Sequence, residues 1–270
     1  MSRVIIIGAT GSLGRHVLHQ ALAAGHQVTV LVRTPSKLPV DTGSQASIYS
    51  GDLSVLEPAD LARVIRGHDA LINCAGHINE GPHFIDLVER IVTSVESLRA
   101  ARPVCWFLAG AALLDIGPSG RRGIELPRVR STYWPHRYNF ERLSSSRLDW
   151  RLLCPGPMVE QPALGVNKLR ISLDRLAVQV PAYAQTLPDL LLLPVFASLI
   201  PQMIVPYADA AALMLANLNH GDAMARHRVG LALPSGMRGR KSQWSAKPGH
   251  ADQEAHHAAT AVLANSAASN

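Results

Sequence analysis

Short runs of continuously apolar residues alternate with amphipathic stretches along the first part of the chain. The first apolar run covers residues 3–7, and a second covers residues 27–32. Between them, residues 12–24 place Leu13, Val17 and their apolar neighbours on one face of a helix. Continuous apolar runs are typical of strands buried on both faces of a parallel sheet. The pattern therefore predicts a strand–helix–strand unit, with Gly25 ending the helix.

The same alternation continues downstream. Further strands are predicted over 46–53, 69–76, 104–110 and 148–156, with helices over 57–67, 83–101 and about 133–146. A loop is expected over 115–132, a late helix over 207–218 and a final strand over 227–236. Strands that alternate with helices are typical of an α/β fold with a doubly wound parallel sheet, the Rossmann fold. We expect right-handed crossovers throughout.

Composition along the chain predicts a single domain, residues 1–245, and a disordered tail, residues 246–270. The tail is rich in Ala, His, Asn and Ser and has no apolar period. Within the domain, the proline-rich apolar segment 157–206 is expected to form a small substrate-side C-terminal region. Prolines interrupt its most apolar part, so we do not expect a membrane-spanning helix.

Net charge and cysteine spacing indicate which classes of partner and ligand are expected. The formal net charge is +6, but Arg is scattered and aromatic residues make up only 5%, so a nucleic-acid partner is not expected. The three cysteines, Cys74, Cys105 and Cys154, are widely spaced, which indicates reduced core thiols rather than a zinc or redox motif. With no signal peptide ahead of the first strand, we expect a cytoplasmic protein with a small-molecule substrate. No metal site is expected, and the sequence does not indicate an oligomeric state.

A glycine-rich turn links the first strand to the first helix. In the motif G-x-x-G-x-x-G, Gly8 allows the tight turn, Gly11 lets the backbone approach a pyrophosphate, and Gly14 lets helix and strand pack closely. The helix N-terminus adds partial positive charge for phosphates. Because the strand–turn–helix context is present, the whole turn is a candidate cofactor-binding segment: Gly8, Ala9, Thr10, Gly11, Ser12, Leu13 and Gly14.

The end of the second strand favours NADP(H) over NAD(H). An acid at this point would bind the ribose 2′-hydroxyl, whereas the chain has Arg33, with Lys37 shortly after. A guanidinium can bind a 2′-phosphate through two hydrogen bonds, and an acid would repel it. The alternative is that Arg33 is a solvated loop cation.

These motifs together resemble a known superfamily. "GATGSLG", Arg33, "GDL" at 51–53, "NCAG" at 73–76 and "LDWRLLCPGP" at 148–157 are similar to atypical short-chain dehydrogenases/reductases. The resemblance is strongest to the NAD(P)H-binding, NmrA-like branch that includes biliverdin reductase B-like flavin reductases. It covers roughly residues 3–240. The resemblance implies that Asp52 and Leu53 lie by the adenine, that Cys74, Ala75 and Gly76 line the adenosine side, and that Pro155 and Gly156 lie near the nicotinamide.

The resemblance also implies a Ser–Tyr–Lys catalytic set, which the chain matches only in part. Ala109 or Gly110 takes the Ser position, while Tyr133 and Arg137 take the Tyr and Lys positions of Y-x-x-x-K. An Arg can hold a ribose or polarise a Tyr, but it does not readily transfer a proton. Tyr133 and Arg137 are therefore the candidate catalytic pair, with two of the three roles altered.

A second pair of residues also matches the Y-x-x-x-K spacing. Tyr138 and Arg142 repeat the same spacing five residues later, and the bland alternative is a helix face that packs on the preceding loop. His77 and His136 are the imidazoles nearest the expected cleft, without a second ligand at a metal-binding spacing.

Three functions fit these features. The first is an NADPH-dependent oxidoreductase that passes hydride to a small planar acceptor, such as a quinone, a flavin or an enone, because the protein then mainly positions two rings. The second is an NADP(H)-binding regulatory protein that senses redox state, which the altered catalytic set favours. The third is an isomerase or epimerase, against which the absent Ser and Lys count.

Overall fold

The computed structural model describes residues 1–99 and 101–240. The strands are β1 (Arg3–Ile7), β2 (Gln27–Val32), β3 (Ala46–Ser50), β4 (Ala70–Asn73), β5 (Val104–Leu108), β6 (Asp149–Cys154), β7 (Met158–Val159), β8 (Arg170–Leu173), β9 (Val205–Pro206) and β10 (Arg228–Ala232). The helices are α1 (Ser12–Ala23), α2 (Thr42–Gln45), α3 (Pro58–Ile65), α4 (Pro82–Glu96), α5 (Val129–Ser145), α6 (Asp189–Leu199) and α7 (Tyr207–Ala216).

The main sheet has eight strands in the order β3-β2-β1-β4-β5-β6-β10-β8. All neighbours pair in parallel except β10 and β8, which are antiparallel. β7 and β9 form a separate parallel pair. The order reverses on either side of β1, which confirms the prediction of a doubly wound Rossmann fold.

Two apolar layers hold the helices against the two faces of this sheet. On one face, Leu61 of α3 and Val88 of α4 pack with alternate residues of β1 and β4. On the other face, Val17 of α1 and Leu213 of α7 pack with the remaining sheet residues. Because both faces are covered, the central strands are continuously apolar, as the sequence pattern indicated.

The strand order sets the position of the functional site. β1 leads toward one edge of the sheet through β2 and β3, whereas β4, β5 and β6 extend the other way. Ligands of such sheets bind outside the carboxyl ends of the strands, at the point where the order reverses. The turns that follow β1, β2, β4, β5 and β6 all meet at this edge.

Several boundaries differ from the sequence-based predictions. α5 begins at Val129, inside the expected loop, so that Pro135 lies within the helix and removes one of its backbone hydrogen bonds. α4 ends at Glu96, earlier than expected. Segment 157–206 contains α6 but also supplies β8, which extends the sheet edge. The predicted disordered tail, 246–270, lies outside the described residues.

Within the part of the chain that the structure describes, no helix has both the length and the apolarity needed to cross a membrane.

Candidate functional site

A cleft of about 1720 Å³ opens along the carboxyl edge of the sheet. The turns after β1, β2, β4, β5 and β6 line it, together with parts of α4, α5 and α6. Every residue that the sequence marked for cofactor binding lines this cleft except Ala9 and Gly14. Ala9 is fully buried beneath the turn. The structure thus brings the candidate residues together, and their contact with a cofactor stays a prediction.

The glycine turn is built so that only glycine fits at two of its positions. Gly8 has a φ of 80°, and a Cβ on it would lie 2.7 Å from the Ala75 nitrogen. A Cβ on Gly14 would overlap the Gly8 carbonyl oxygen and lie 2.8 Å from the Gly8 carbonyl carbon. The start of α1 therefore packs closely against the end of β1, and the glycine turn packs against the turn after β4. The backbone of the glycine turn remains accessible from the cleft.

Gly11 supplies the space that a pyrophosphate needs. A Cβ there would meet only the Gly8 carbonyl oxygen, at 3.4 Å, and would otherwise project into open space. Gly11 is also the N-cap of α1, where no side chain caps the helix and no acid lies in the first turn. The first-turn N–H groups therefore keep their hydrogen-bonding capacity and partial positive charge for an anion. This cradle fits the diphosphate of a dinucleotide.

The turn after β4 forms the adjoining wall. The buried Asn73 accepts a hydrogen bond on Oδ1 from the Ala75 N–H, 3.1 Å away, which fixes the turn. Gly76 has a φ of 95°, and a Cβ on it would overlap the Phe84 ring. Burial raises the pKa of the Cys74 thiol to about 12, so this thiol stays protonated and is not a nucleophile.

Charged residues gather at the β2 and β3 end of the cleft. Arg33 follows β2 directly and is exposed, as is Lys37. Asp52 accepts hydrogen bonds from the Ser54 N–H, at 2.9 Å, and from its hydroxyl, at 2.7 Å. These bonds, with a smaller contribution from Arg33, hold the pKa of Asp52 below its usual value. Asp52 is thus an ionised, oriented acceptor beside a guanidinium.

Two polar side chains of α5 face the other end of the cleft. Tyr133 and His136 both line it, with ring centroids 6.1 Å apart. A Cβ on Gly110 would lie 3.6 Å from Tyr133 Cε1 and 3.6 Å from His136 Nε2. Tyr133 therefore lies beside Gly110, one of the two candidates for the Ser position, and His136 lies equally close.

His136 is the polar residue to which the sequence analysis assigned no role. Its side chain is only 8% exposed, and Nδ1 has no hydrogen-bond partner among the described residues. Burial, with a small effect from His77, lowers the pKa of His136 to about 4, so the ring is neutral near pH 7. Its spacing from Tyr133, three residues along a helix, is the signal that could have identified it.

Arg137 does not line the cleft, so the structure does not bring the expected pair of Tyr133 and Arg137 together there. Its side chain is 47% exposed, and its Nε donates to Glu141, 2.8 Å away. Because α5 begins at Val129, its cleft face carries Val129, Tyr133 and His136, and Arg137 turns to solvent.

The alternative frame, Tyr138 and Arg142, also lies elsewhere. Tyr138 is 55% exposed. Arg142 donates to Glu89 at 2.5 Å and to Glu96 at 2.8 Å, and so ties α5 to α4. These hydrogen bonds hold the pKa of Glu96 below its ordinary range. Arg142 is a structural cation between two helices.

One further part of the cleft wall is mainly apolar, while residues such as Glu80 and Arg90 make another part polar. We call the mainly apolar part the acceptor half and define it by the lining residues Ala109, Gly110, Ala111, Ala112, Val129, Tyr133, His136, Leu193, Phe196, Ala197, Ile200 and Met203. Several of these pack in one core cluster with α6. The set contains no Asp, Glu, Lys or Arg, and its polar side chains are Tyr133 and His136. It suits an uncharged, flat ligand.

Comparison with known proteins agrees with this geometry. Residues 8–178 match the model of a family described as NAD(P)H-binding. Phenylcoumaran benzylic ether reductase PT1 from Pinus taeda is 26% identical over 154 residues, which cover 49% of this chain and 47% of that relative. The chain thus matches about half of that relative's length.

Solved structures share the fold. A candidate NADH-flavin reductase from Streptococcus pneumoniae superposes with a TM-score of 0.64 at 19% identity, over 86% of this chain and 100% of that one. The anaerobilin reductase ChuY from Escherichia coli O157:H7 superposes with a TM-score of 0.60 at 17% identity, over 87% and 98% of the two chains. The family match covers more than half of the chain and agrees with the glycine turn and the sheet order. The chain therefore belongs to the NAD(P)H-binding family of atypical short-chain dehydrogenases/reductases.

Proposed function

We propose that the protein is an NADPH-dependent oxidoreductase that passes hydride to a small planar acceptor, such as a quinone, a flavin or an enone. The observation that carries this proposal is the continuity of the cleft. The cleft joins the glycine cradle to the acceptor half, whose own residues include no Asp, Glu, Lys or Arg. A dinucleotide held by the cradle would present its nicotinamide to that half, near Pro155 and Gly156.

The choice of NADPH over NADH rests on the residue after β2. Arg33 is exposed at the cleft, with Lys37 nearby, and both can reach an anionic group. A 2′-phosphate would gain charge-assisted hydrogen bonds from the guanidinium. A cofactor that lacks this phosphate would gain nothing there.

In this mechanism the chain mainly positions and shields its ligands. When bound, the reduced dinucleotide supplies the hydride. The cradle at Gly11 would fix its diphosphate, while Phe196 and Met203 would hold the acceptor ring and exclude water. Tyr133 would lie near the acceptor oxygen as a proton donor. Cys74 takes no part because its thiol stays protonated.

The test is turnover of NADPH and of NADH by the pure protein with menadione, FMN and a cyclic enone. We expect oxidation of NADPH with at least one uncharged acceptor and a lower kcat/KM for NADH. Tight NADPH binding without turnover of any acceptor would contradict the proposal.

A second candidate is an NADP(H)-binding redox sensor. The specific observation in its favour is that Ala109 or Gly110 takes the expected Ser position, while Arg137 and Arg142 pair with acids away from the cleft. A sensor must bind NADP⁺ and NADPH with different affinities, because only differential binding shifts a conformational equilibrium. Calorimetry with both forms separates this candidate from the enzyme.

We also propose that the protein works in a reducing compartment such as the cytoplasm. Cys74, Cys105 and Cys154 are all unpaired, and burial raises the pKa of Cys105 and Cys154. Such thiols behave as small core residues.

A further inference from the structure

We infer that His136 donates a hydrogen bond from Nε2 to the oxygen of the acceptor. This inference rests on the proposed function and names the residue that replaces the missing Ser. His136 then is a catalytic residue, because it touches the reacting group.

The position of His136 supports this role. A Cβ on Gly110 would lie 3.6 Å from Nε2, so the imidazole occupies the neighbourhood in which a Ser hydroxyl would lie. His136 and Tyr133 are the polar side chains of the acceptor half. An acceptor oxygen in this half could form a hydrogen bond with either side chain, and His77 also lines the cleft.

The surroundings of the ring favour a proton on Nε2. Nδ1 is fully buried and has no hydrogen-bond partner among residues 1–99 and 101–240. A buried N–H without a partner is rarer and more costly than a buried lone pair. The edge of Phe84 contacts the ring, with centroids 5.6 Å apart and planes at 84°, and helps to hold its orientation. The favoured tautomer therefore presents its N–H toward Gly110 and the cleft.

A neutral His136 imidazole is suited to the proposed reaction. Burial lowers the pKa of His136 to about 4, so a donor without formal charge faces the acceptor near pH 7. A neutral imidazole can polarise a carbonyl group as charge develops on its oxygen. It would not repel the positive nicotinamide ring of the oxidised cofactor.

The proposed hydride transfer consumes one NADPH, one acceptor molecule and one proton. Hydride leaves the reduced nicotinamide with both electrons and forms one bond to the acceptor, whose π electrons move onto its oxygen. The Nε2–H group stabilises the resulting negative charge and keeps its own proton. Water, through the open cleft, or Tyr133 then supplies one proton to the oxygen. NADPH, acceptor and one proton thus give NADP⁺ and the reduced acceptor.

The experiment compares His136→Leu, which cannot donate, with His136→Gln, which can donate through its amide. Loss of a preorganised donor to a developing oxyanion lowers kcat by about 10²–10³-fold, so we expect a loss of about 10²-fold for His136→Leu with menadione. We expect His136→Gln to recover at least about a tenth of the wild-type rate, and both variants to keep the wild-type Kd for NADPH. His19→Leu, at an exposed position of α1 away from the cleft, is the matched control.

Each outcome decides one proposal. A wild-type protein without turnover contradicts the proposed function itself. An active wild type with an equally active His136→Leu overturns the inference alone, and so does a His136→Gln that is as slow as His136→Leu. If His136→Leu fails to fold, nitrogen NMR of the wild-type imidazole decides, because an Nδ1–H tautomer overturns the inference and an Nε2–H tautomer supports it.

Discussion

Two glycines of the same turn should fail in different ways when they are substituted. We predict that Gly14→Ala destabilises the fold, whereas Gly11→Val leaves the fold intact and removes cofactor binding. The reason lies in their neighbours. A Cβ on Gly14 would overlap the Gly8 carbonyl group, while a Cβ on Gly11 would meet only one oxygen, at 3.4 Å.

The magnitudes follow from these contacts. The neighbours of Gly14 are backbone atoms that cannot rotate away, so overpacking should cost about 3 kcal/mol. The better helix propensity of Ala offsets roughly 1 kcal/mol of this, which leaves about 2 kcal/mol. For a domain of this size, that loss lowers Tm by about 4–8 °C. Gly11 has a φ of −79° and a ψ of 170°, which Val adopts readily, so its stability should change by less than about 0.5 kcal/mol.

Cofactor binding should be affected more by Gly11→Val than by Gly14→Ala. In Gly11→Val, the side chain would occupy the space of the diphosphate and block at least two charge-assisted hydrogen bonds. We expect a loss of about 3 kcal/mol, a rise of at least about 10²-fold in the Kd for NADPH.

The assay is urea unfolding and NADPH calorimetry for both variants, with Gly43→Ala as control. A Cβ on Gly43, in α2 and away from the cleft, would meet only Ile48 Cδ1, at 3.8 Å. This control should bind NADPH as the wild type does and be at least as stable, because Ala gains helix propensity there without a close contact. A Gly14→Ala variant with the wild-type free energy of unfolding, or a Gly11→Val variant that binds NADPH within a few-fold of the wild type, would contradict the prediction.

Three further predictions concern single side chains. Arg33→Ala should raise the Kd for NADPH about 10-fold, because one exposed charge-assisted contact is lost, and leave the Kd for NADH unchanged; equal losses for both cofactors in calorimetry would contradict the proposed preference. Tyr133→Phe should lower turnover of aldehydes or ketones by about 10²–10⁴-fold and of quinones only weakly, because an alkoxide needs a positioned proton donor; an equal loss for both classes would contradict this. Arg142→Gln should lower the free energy of unfolding by about 1 kcal/mol near pH 7, because the hydrogen bond from Arg142 holds the pKa of Glu96 low in the folded state. This stabilisation should be lost as the pH falls through that depressed pKa. Urea unfolding at about pH 7 and about pH 3 measures the difference, and a cost independent of pH would refute it.

Much of the fold could be predicted because it depends on local patterns. Continuous apolar runs identify the buried strands, and the glycine turn identifies the first crossover and the cofactor end of the cleft. The position of β8 could not be predicted in this way. Its residues alternate between half-buried and exposed on one edge of the sheet, and only its antiparallel pairing with β10 shows where it lies.

The set of side chains in the acceptor half depends on where helix α5 begins. The spacing Y-x-x-x-K identified Tyr133, which lines the cleft. The spacing alone does not show whether Arg137 lies on the same face of the helix. The start of α5 at Val129 and the packing of Phe84 against His136 turn the imidazole inward and Arg137 outward. That choice is made by tertiary contacts between α4 and α5.

The central claim is that the cleft holds NADPH with one face of its nicotinamide toward the acceptor half. Oxidation of the two C4-deuterated epimers of NADPH by the wild-type protein with menadione tests it most directly, with mass spectrometry of the NADP⁺ formed. We predict that one epimer loses its deuterium and the other keeps it. The absence of NADP⁺ formation, or equal loss from both epimers, would contradict the account.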